Sequence, residues 1–244
     1  MQWPPAQRCK RARAPTAKPV STVHLVFLIL TFALPLLLCG VSRWRPSVAF
    51  DRAVCRGLAV VLLVTEFGEL GFKIFVEKVP LASSLPMHLC DWALLATAAA
   101  LWWQAPRCFE VAYFWGLAGT IQGLLTPAID HQLAVWRHVG FFVIHSGIVV
   151  GVLFLVFARG MRPIAASLAR VLIWSEGYLL TALLVNTLTG QNYGFLSHPP
   201  STPSPLDHFP QTPWLYVATI NGVALGAFAL LYLPWWIADR RRSA

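Results

Sequence analysis

The chain is predicted to be all-α, a polytopic helical membrane bundle of about seven transmembrane helices. Charged residues make up 12% of its 244 positions, about half the ~25% of a soluble domain. Hydrophobic residues make up 57%. Apolar runs of roughly 20 residues, each able to cross about 30 Å of hydrocarbon as a helix, recur along its length. Helices are required because backbone polar groups cannot stay unpaired in lipid.

Residues 1–20 are basic and Pro-rich, with Arg8, Lys10, Arg11, Arg13 and Lys18. They read as a disordered, lipid-facing tail preceding a single transmembrane domain over 21–238. The first run, 23–41, ends near Cys39, but Leu38 is too large for lipoprotein cleavage, so a retained span is expected. The later runs cover 53–76, 87–104, 109–126, 138–158, 165–189 and 213–237. Trp44, Trp102, Trp103, Trp136, Trp235 and Trp236 lie near run ends, where interfacial anchors belong. The connection "GQNYGFLSHPPSTPSPLDHFPQTP" (190–213) holds six prolines. It is expected to lack regular structure, with "NYGFL" folding back against the membrane. A short basic tail, 239–244, closes the chain. No internal repeat is visible.

The formal charge of +9 does not indicate nucleic acid, because no aromatic residues interleave with the basic ones as a base-stacking platform requires. The basic residues cluster at run ends, where membrane phospholipids are the expected partner. One side collects Arg43, Arg45, Arg52, Arg56, Arg107, Arg159, Arg162, Arg170 and Arg240–Arg242. The other has Lys73, Lys78 and Arg137 before the N-terminal tail is counted. This bias leans the C-terminus toward the cytoplasm, although the tail opposes it. The five cysteines show neither zinc-ligand spacing nor a disulfide framework. No cofactor and no metal are expected.

Several polar residues interrupt the runs. Glu66, Glu69 and Lys73 in "TEFGELGFKIF" share a helix face, as either a structural ion pair or a polar cavity that holds a headgroup or carries protons. His145 in "FFVIHSGIVV" is either a hydrogen-bonded packing residue or a base. Gln122, Glu176, Asn186 and Asn192 are each interhelical glue when taken singly. Together they suggest a shared wet cavity.

The stretch "SSLPMHLCDWALL" (83–95) gathers His88, Cys90 and Asp91. Ser83 or Ser84 with Pro86 marks a helix start, which puts Cys90 near the positive end of the helix dipole. On a regular helix His88 and Asp91 share a face, while Cys90 lies about 200° from His88. A base for Cys90 would have to come from another helix, and His145 is the histidine deep in a predicted span. Cap and packing roles stay open beside this dyad. A metal site is disfavoured because adjacent residues rarely point at one ion.

"LPMHLCDWALL", "AYFWGLAGTIQGLLTP", "FFVIHSGIV" and "VNTLTGQNYGFL", followed by "PWLYV", resemble the bacterial YwaF-like integral membrane family. That family is related to the eukaryotic transmembrane protein 164 family. The resemblance runs from about residue 50 to residue 235. It implies a bacterial cytoplasmic membrane protein acting on phospholipid acyl esters, as a lipid acyltransferase or a lipid hydrolase, through a membrane-embedded Cys and His, here Cys90 and His145. On that reading His88, Asp91, Gln122, Asn186, Asn192 and Tyr193 would support the oxyanion or the site around it, and the Glu66/Glu69/Lys73 face would either hold a headgroup or form a structural pair. The loop 190–213 departs from the family pattern in its Pro and Ser content. The rivals are a transporter or channel that uses the buried Glu, Lys and His, and a non-catalytic scaffold or lipid-binding protein.

Overall fold

The computed structural model describes residues 22–127 and 135–243; the expected basic tail 1–20 lies outside them. Each of the seven apolar runs is helical, and the described residues contain no strand. Helix α1 spans Thr22–Trp44 and α2 spans Val48–Phe75. A single turn, α3 (Leu81–Ser84), precedes α4 (Leu89–Trp103). The fourth run is α5 (Pro106–Trp115), a π-helical turn Gly116–Thr120 and α6 (Ile121–Leu125), in direct succession. Helices α7 (Val135–Phe157), α8 (Ala165–Thr189) and α9 (Pro213–Ser243) complete the bundle. The basic tail is not separate, because α9 continues through Arg240–Arg242.

Four helices, α1, α7, α8 and α9, are long and apolar enough by themselves to cross a membrane. Helix α2 is longer than α1 but carries six charged residues from Asp51 to Lys73. Helix α4 has 15 residues, about 22 Å at 1.5 Å per residue, short of the ~30 Å hydrocarbon thickness.

Helix α7 is the centre of the bundle: 72% of its apolar window is buried, against 17% for α8 and 11% for α9. Helices α1, α2, α4 and the α5–α6 segment pack on it. The core is built from Leu94, Leu101, Phe109, Phe114, Trp115, Ile148, Val152 and Leu155. The outer helices present Leu36, Leu184, Leu188 and Leu230 outward, an apolar surface that only lipid can cover at this extent. The chain is an integral membrane protein.

Polar contacts define the two ends. At one, Ser42 of α1 donates to Asp51 of α2 at 2.6 Å, and Arg159, just beyond α7, pairs with Asp51 at 2.9 Å. Arg170 of α8 grips Glu110 of α5, and Arg162 meets Asp239 of α9 at 2.5 Å. The connections α1–α2, α4–α5 and α7–α8 thus share an end with the C-terminus of α9, as the alternation of spans requires. The interfacial tryptophans divide. Trp44, Trp102, Trp103 and Trp236 are exposed, whereas Trp136 packs edge-on against Phe72 and Trp235 donates to Tyr113 Oη at 2.9 Å.

Candidate functional site

At the opposite end, the segment before α4 corrects the expected helix start. Ser84 closes the short α3, and the helix begins at Leu89 with His88 as N-cap. Pro86 sits in the extended connection instead of the first turn. His88 is outside the helix, so the angular argument that separated it from Cys90 does not apply. Asp91 caps the helix: its Oδ2 accepts the His88 backbone N–H at 2.8 Å. Its Oδ1 accepts the Cys90 thiol at 3.6 Å, within the range for sulfur. Cys90 therefore does not point away from Asp91, and its nearest polar partner is its own neighbour. Cys90 is partly buried, and all four described cysteines are unbridged.

A segment after α8 folds over this turn. Gly190 ends α8 in the left-handed region (φ 72°), with its N–H on Asn186 O, the usual glycine helix stop. Asn186 is buried and clamps Tyr193 twice: Nδ2 donates to Tyr193 O at 3.0 Å, and Tyr193 N donates to Asn186 Oδ1 at 2.7 Å. The Tyr193 phenol donates to Ala82 O at 2.7 Å and accepts from Leu85 N at 3.1 Å. Burial raises its pKa above the ordinary tyrosine value. Asn192 ties the loop to His198 and Ser197. Contrary to expectation, the Pro-rich connection contains two 3₁₀ turns, Tyr193–Phe195 and Pro205–His208. Between the loop and α3 lies a cavity of about 310 Å³ lined by Ser83, His88, Gln191, Asn192, Phe195 and His198, among others. Cys90 and His145 do not line it.

His145 is buried in α7 and stacks on Phe141 at 3.9 Å between ring centroids. Its Nδ1 is 2.8 Å from Phe141 O. A carbonyl oxygen only accepts, so the proton is on Nδ1 and the lone pair is on Nε2. That Nε2 faces α6 at Gly123, where a Cβ would come within 3.0 Å of it. Only glycine leaves the imidazole room there. His88 has the reverse tautomer: its Nδ1 accepts the Gly194 N–H at 3.4 Å, which leaves Nε2–H free to donate.

His145 and His88 are within electrostatic reach of each other. Asp91 and Cys90 both feel Glu66, and Lys73 acts on His88 and Asp91. Among the described residues no hydrogen bond joins Cys90 to His145: the thiol is on Asp91 and the imidazole Nδ1 on Phe141 O. Lys73 is 4.0 Å from Glu69, the i, i+4 pair the spacing predicted. Glu69 Oε1 is nevertheless buried without a hydrogen bond, against the bare backbone of Gly140. Gln122 is exposed at the end of α6, and Glu176 faces outward from α8. Among the described residues, no group of three His, Cys, Asp or Glu side chains gathers as for a metal ion.

Sequence reasoning missed Tyr178. It is buried in α8, donates to Met87 O at 3.1 Å and lies within electrostatic reach of Cys90 and Asp91. Its hydroxyl is one of several in the run, beside Ser167, Ser175, Thr181, Thr187 and Thr189, so the sequence does not single it out. The Glu110–Arg170 pair was also missed, because its members are 60 residues apart.

No curated protein and no solved structure matches the chain. One family model does match, and it covers residues 19–232, extending the resemblance seen from residue 50 back through α1. With the Cys90 turn, the His145 helix and the Tyr193 loop all inside the matched region, the chain belongs to the TMEM164 family.

Proposed function

We propose that the protein is a membrane-embedded acyl-transfer enzyme acting on phospholipid esters in the bacterial cytoplasmic membrane, with its C-terminus in the cytoplasm. The observation that supports this reading is the Cys90 thiol held on Asp91 at the start of a short helix that packs on α7, the helix of His145. A nucleophilic thiol needs a positioned base and a place for the oxyanion. We assign these two parts to the imidazoles of His145 and His88, whose hydrogen bonds give them opposite tautomers.

In this mechanism the Cys90 thiol leaves Asp91 Oδ1 and turns to His145, whose imidazole moves out from its place against Gly123 so that Nε2 accepts the proton. The sulfur attacks the ester carbonyl carbon, and Nε2–H of His88 donates to the oxyanion. The C–O bond to the glycerol backbone then breaks, and the departing alkoxide takes the proton from His145. A lysolipid hydroxyl or water attacks the resulting thioester through the same base, which returns a proton to the sulfur. The cavity under the 190–201 loop receives the headgroup, and the loop moves to expose Cys90.

The test is to incubate purified wild type, Cys90→Ala and His145→Ala with phospholipid bearing labelled acyl chains. Wild type should form a hydroxylamine-sensitive adduct that Cys90→Ala lacks. No adduct on wild type, together with unchanged lipid profiles in a deletion strain, sinks the reading. A second reading, proton-coupled transport through Glu66, Glu69 and His145, is favoured by the unpartnered Glu69 Oε1. Proton flux in proteoliposomes that Cys90→Ala leaves intact would select it.

A further inference from the structure

A second cavity, of about 170 Å³, lies at the end of the bundle away from Cys90, and it is positively charged. Asp51, Arg52, Arg56, Trp102, Gln104 and Arg159 are in its lining. The one acid is already satisfied: Asp51 accepts from Arg159 at 2.9 Å through Oδ2 and from Ser42 at 2.6 Å through Oδ1. Among the described residues, no carboxylate pairs with Arg52 or Arg56. The cavity therefore carries two uncompensated positive charges.

Its walls are held in place. The Arg56 guanidinium lies over the Trp102 ring, 5.4 Å from the centroid. Gln104 ends α4 in the left-handed region (φ 52°). From there its amide donates to Leu101 O at 3.1 Å, and its Oε1 accepts from Arg159 Nε at 3.2 Å. The Arg56 fork held over Trp102, with Arg52 beside it in the lining, suits the tetrahedral oxygens of phosphate. The rim includes the exposed apolar side chains of Val48 and Trp102, so acyl chains can lie beside it.

We propose that this cavity is a phosphate site, occupied by the phosphodiester of an anionic phospholipid. It is independent of the acyl-transfer reading, since it shares no residue with the Cys90 site. A zwitterionic lipid would bring its own cation against Arg52 and Arg56 and bind less well. A free phosphate ion offers the same oxygens without the chains that the Val48 and Trp102 side chains can cover.

The experiment is native mass spectrometry of the full-length protein released from phosphatidylglycerol or phosphatidylcholine micelles, with and without inorganic phosphate. Phosphatidylglycerol should be retained in preference to phosphatidylcholine, and millimolar phosphate should not displace it. Arg52→Gln and Arg56→Gln should each lower retention about tenfold. Arg45→Gln removes the same charge from an exposed arginine over Trp44, outside the cavity, and should change it less than about twofold. Equal loss in Arg45→Gln, or equal retention of the two lipids, would mean diffuse surface attraction and overturn the site. Displacement of lipid by phosphate would overturn the lipid as occupant. Size-exclusion profiles check folding. If the glutamine variants aggregate, Arg56→Lys keeps the charge, loses the fork and should still weaken retention severalfold.

Discussion

The two ends of the bundle handle buried charge in opposite ways. At the arginine-rich end each buried acid meets a guanidinium: Asp51 with Arg159, Glu110 with Arg170 and Arg107. At the other end Asp91 accepts only a backbone N–H and a thiol, and Glu69 leaves one oxygen without a partner. The Glu77–Arg137 pair at 3.2 Å stands at the rim. Satisfied pairs lock helices in register, whereas under-compensated acids store reactivity at a cost in stability. One end holds the fold together, and the other is where we propose the chemistry takes place.

The sharpest way to break this contrast is Cys90→Ala. The adduct should vanish while stability stays within about 1 kcal/mol, since a partly buried thiol on a carboxylate contributes little. A large fall in melting temperature with no loss of adduct would reverse the roles of the two ends. Next in size is Glu110→Ala, which leaves Arg170 and Arg107 facing each other without the carboxylate they share. It should lower Tm by roughly 5 °C or more, and adduct formation per folded molecule should be unchanged. Thermal shift and labelling on the same sample read both.

Asn186→Ala removes both side-chain bonds to Tyr193 and frees the loop over His88. A loss of about 1–2 kcal/mol is expected, with faster proteolysis inside 190–213 and altered acyl transfer. An unchanged cleavage pattern would show that the Tyr193 phenol alone holds the loop. The smallest effect belongs to Glu69→Gln. Neutralising an acid with an unpartnered buried oxygen should leave Tm unchanged or raise it by about 1–2 °C. A marked drop would mean that the 4.0 Å contact with Lys73 matters more than its length suggests.

The uneven legibility of the chain follows from the same physics. Helix α7 was readable because a long apolar run has one solution in lipid. The start of α4 was not, since Ser84 and Pro86 signal a helix that the chain delays until His88, where Asp91 can cap it. Cys90 and His145 were readable as candidates because reactive polar groups are rare at membrane depth. Their surroundings were not. Asp91 as the thiol's partner, Gly123 as the wall behind His145, and Tyr178 and Asn186 around the loop are contacts made across the chain or through a cap.

By itself the sequence determined that this is an all-helical integral membrane protein and which residues stand out against the apolar background. Composition and run length suffice for that, because lipid forbids any other open-chain solution. The tertiary structure alone decided which acids are neutralised and which are left exposed to reaction, and it closed a loop over one end and a cluster of guanidiniums around the other. Those outcomes depend on distances between helices far apart in the chain, and no local pattern encodes such distances.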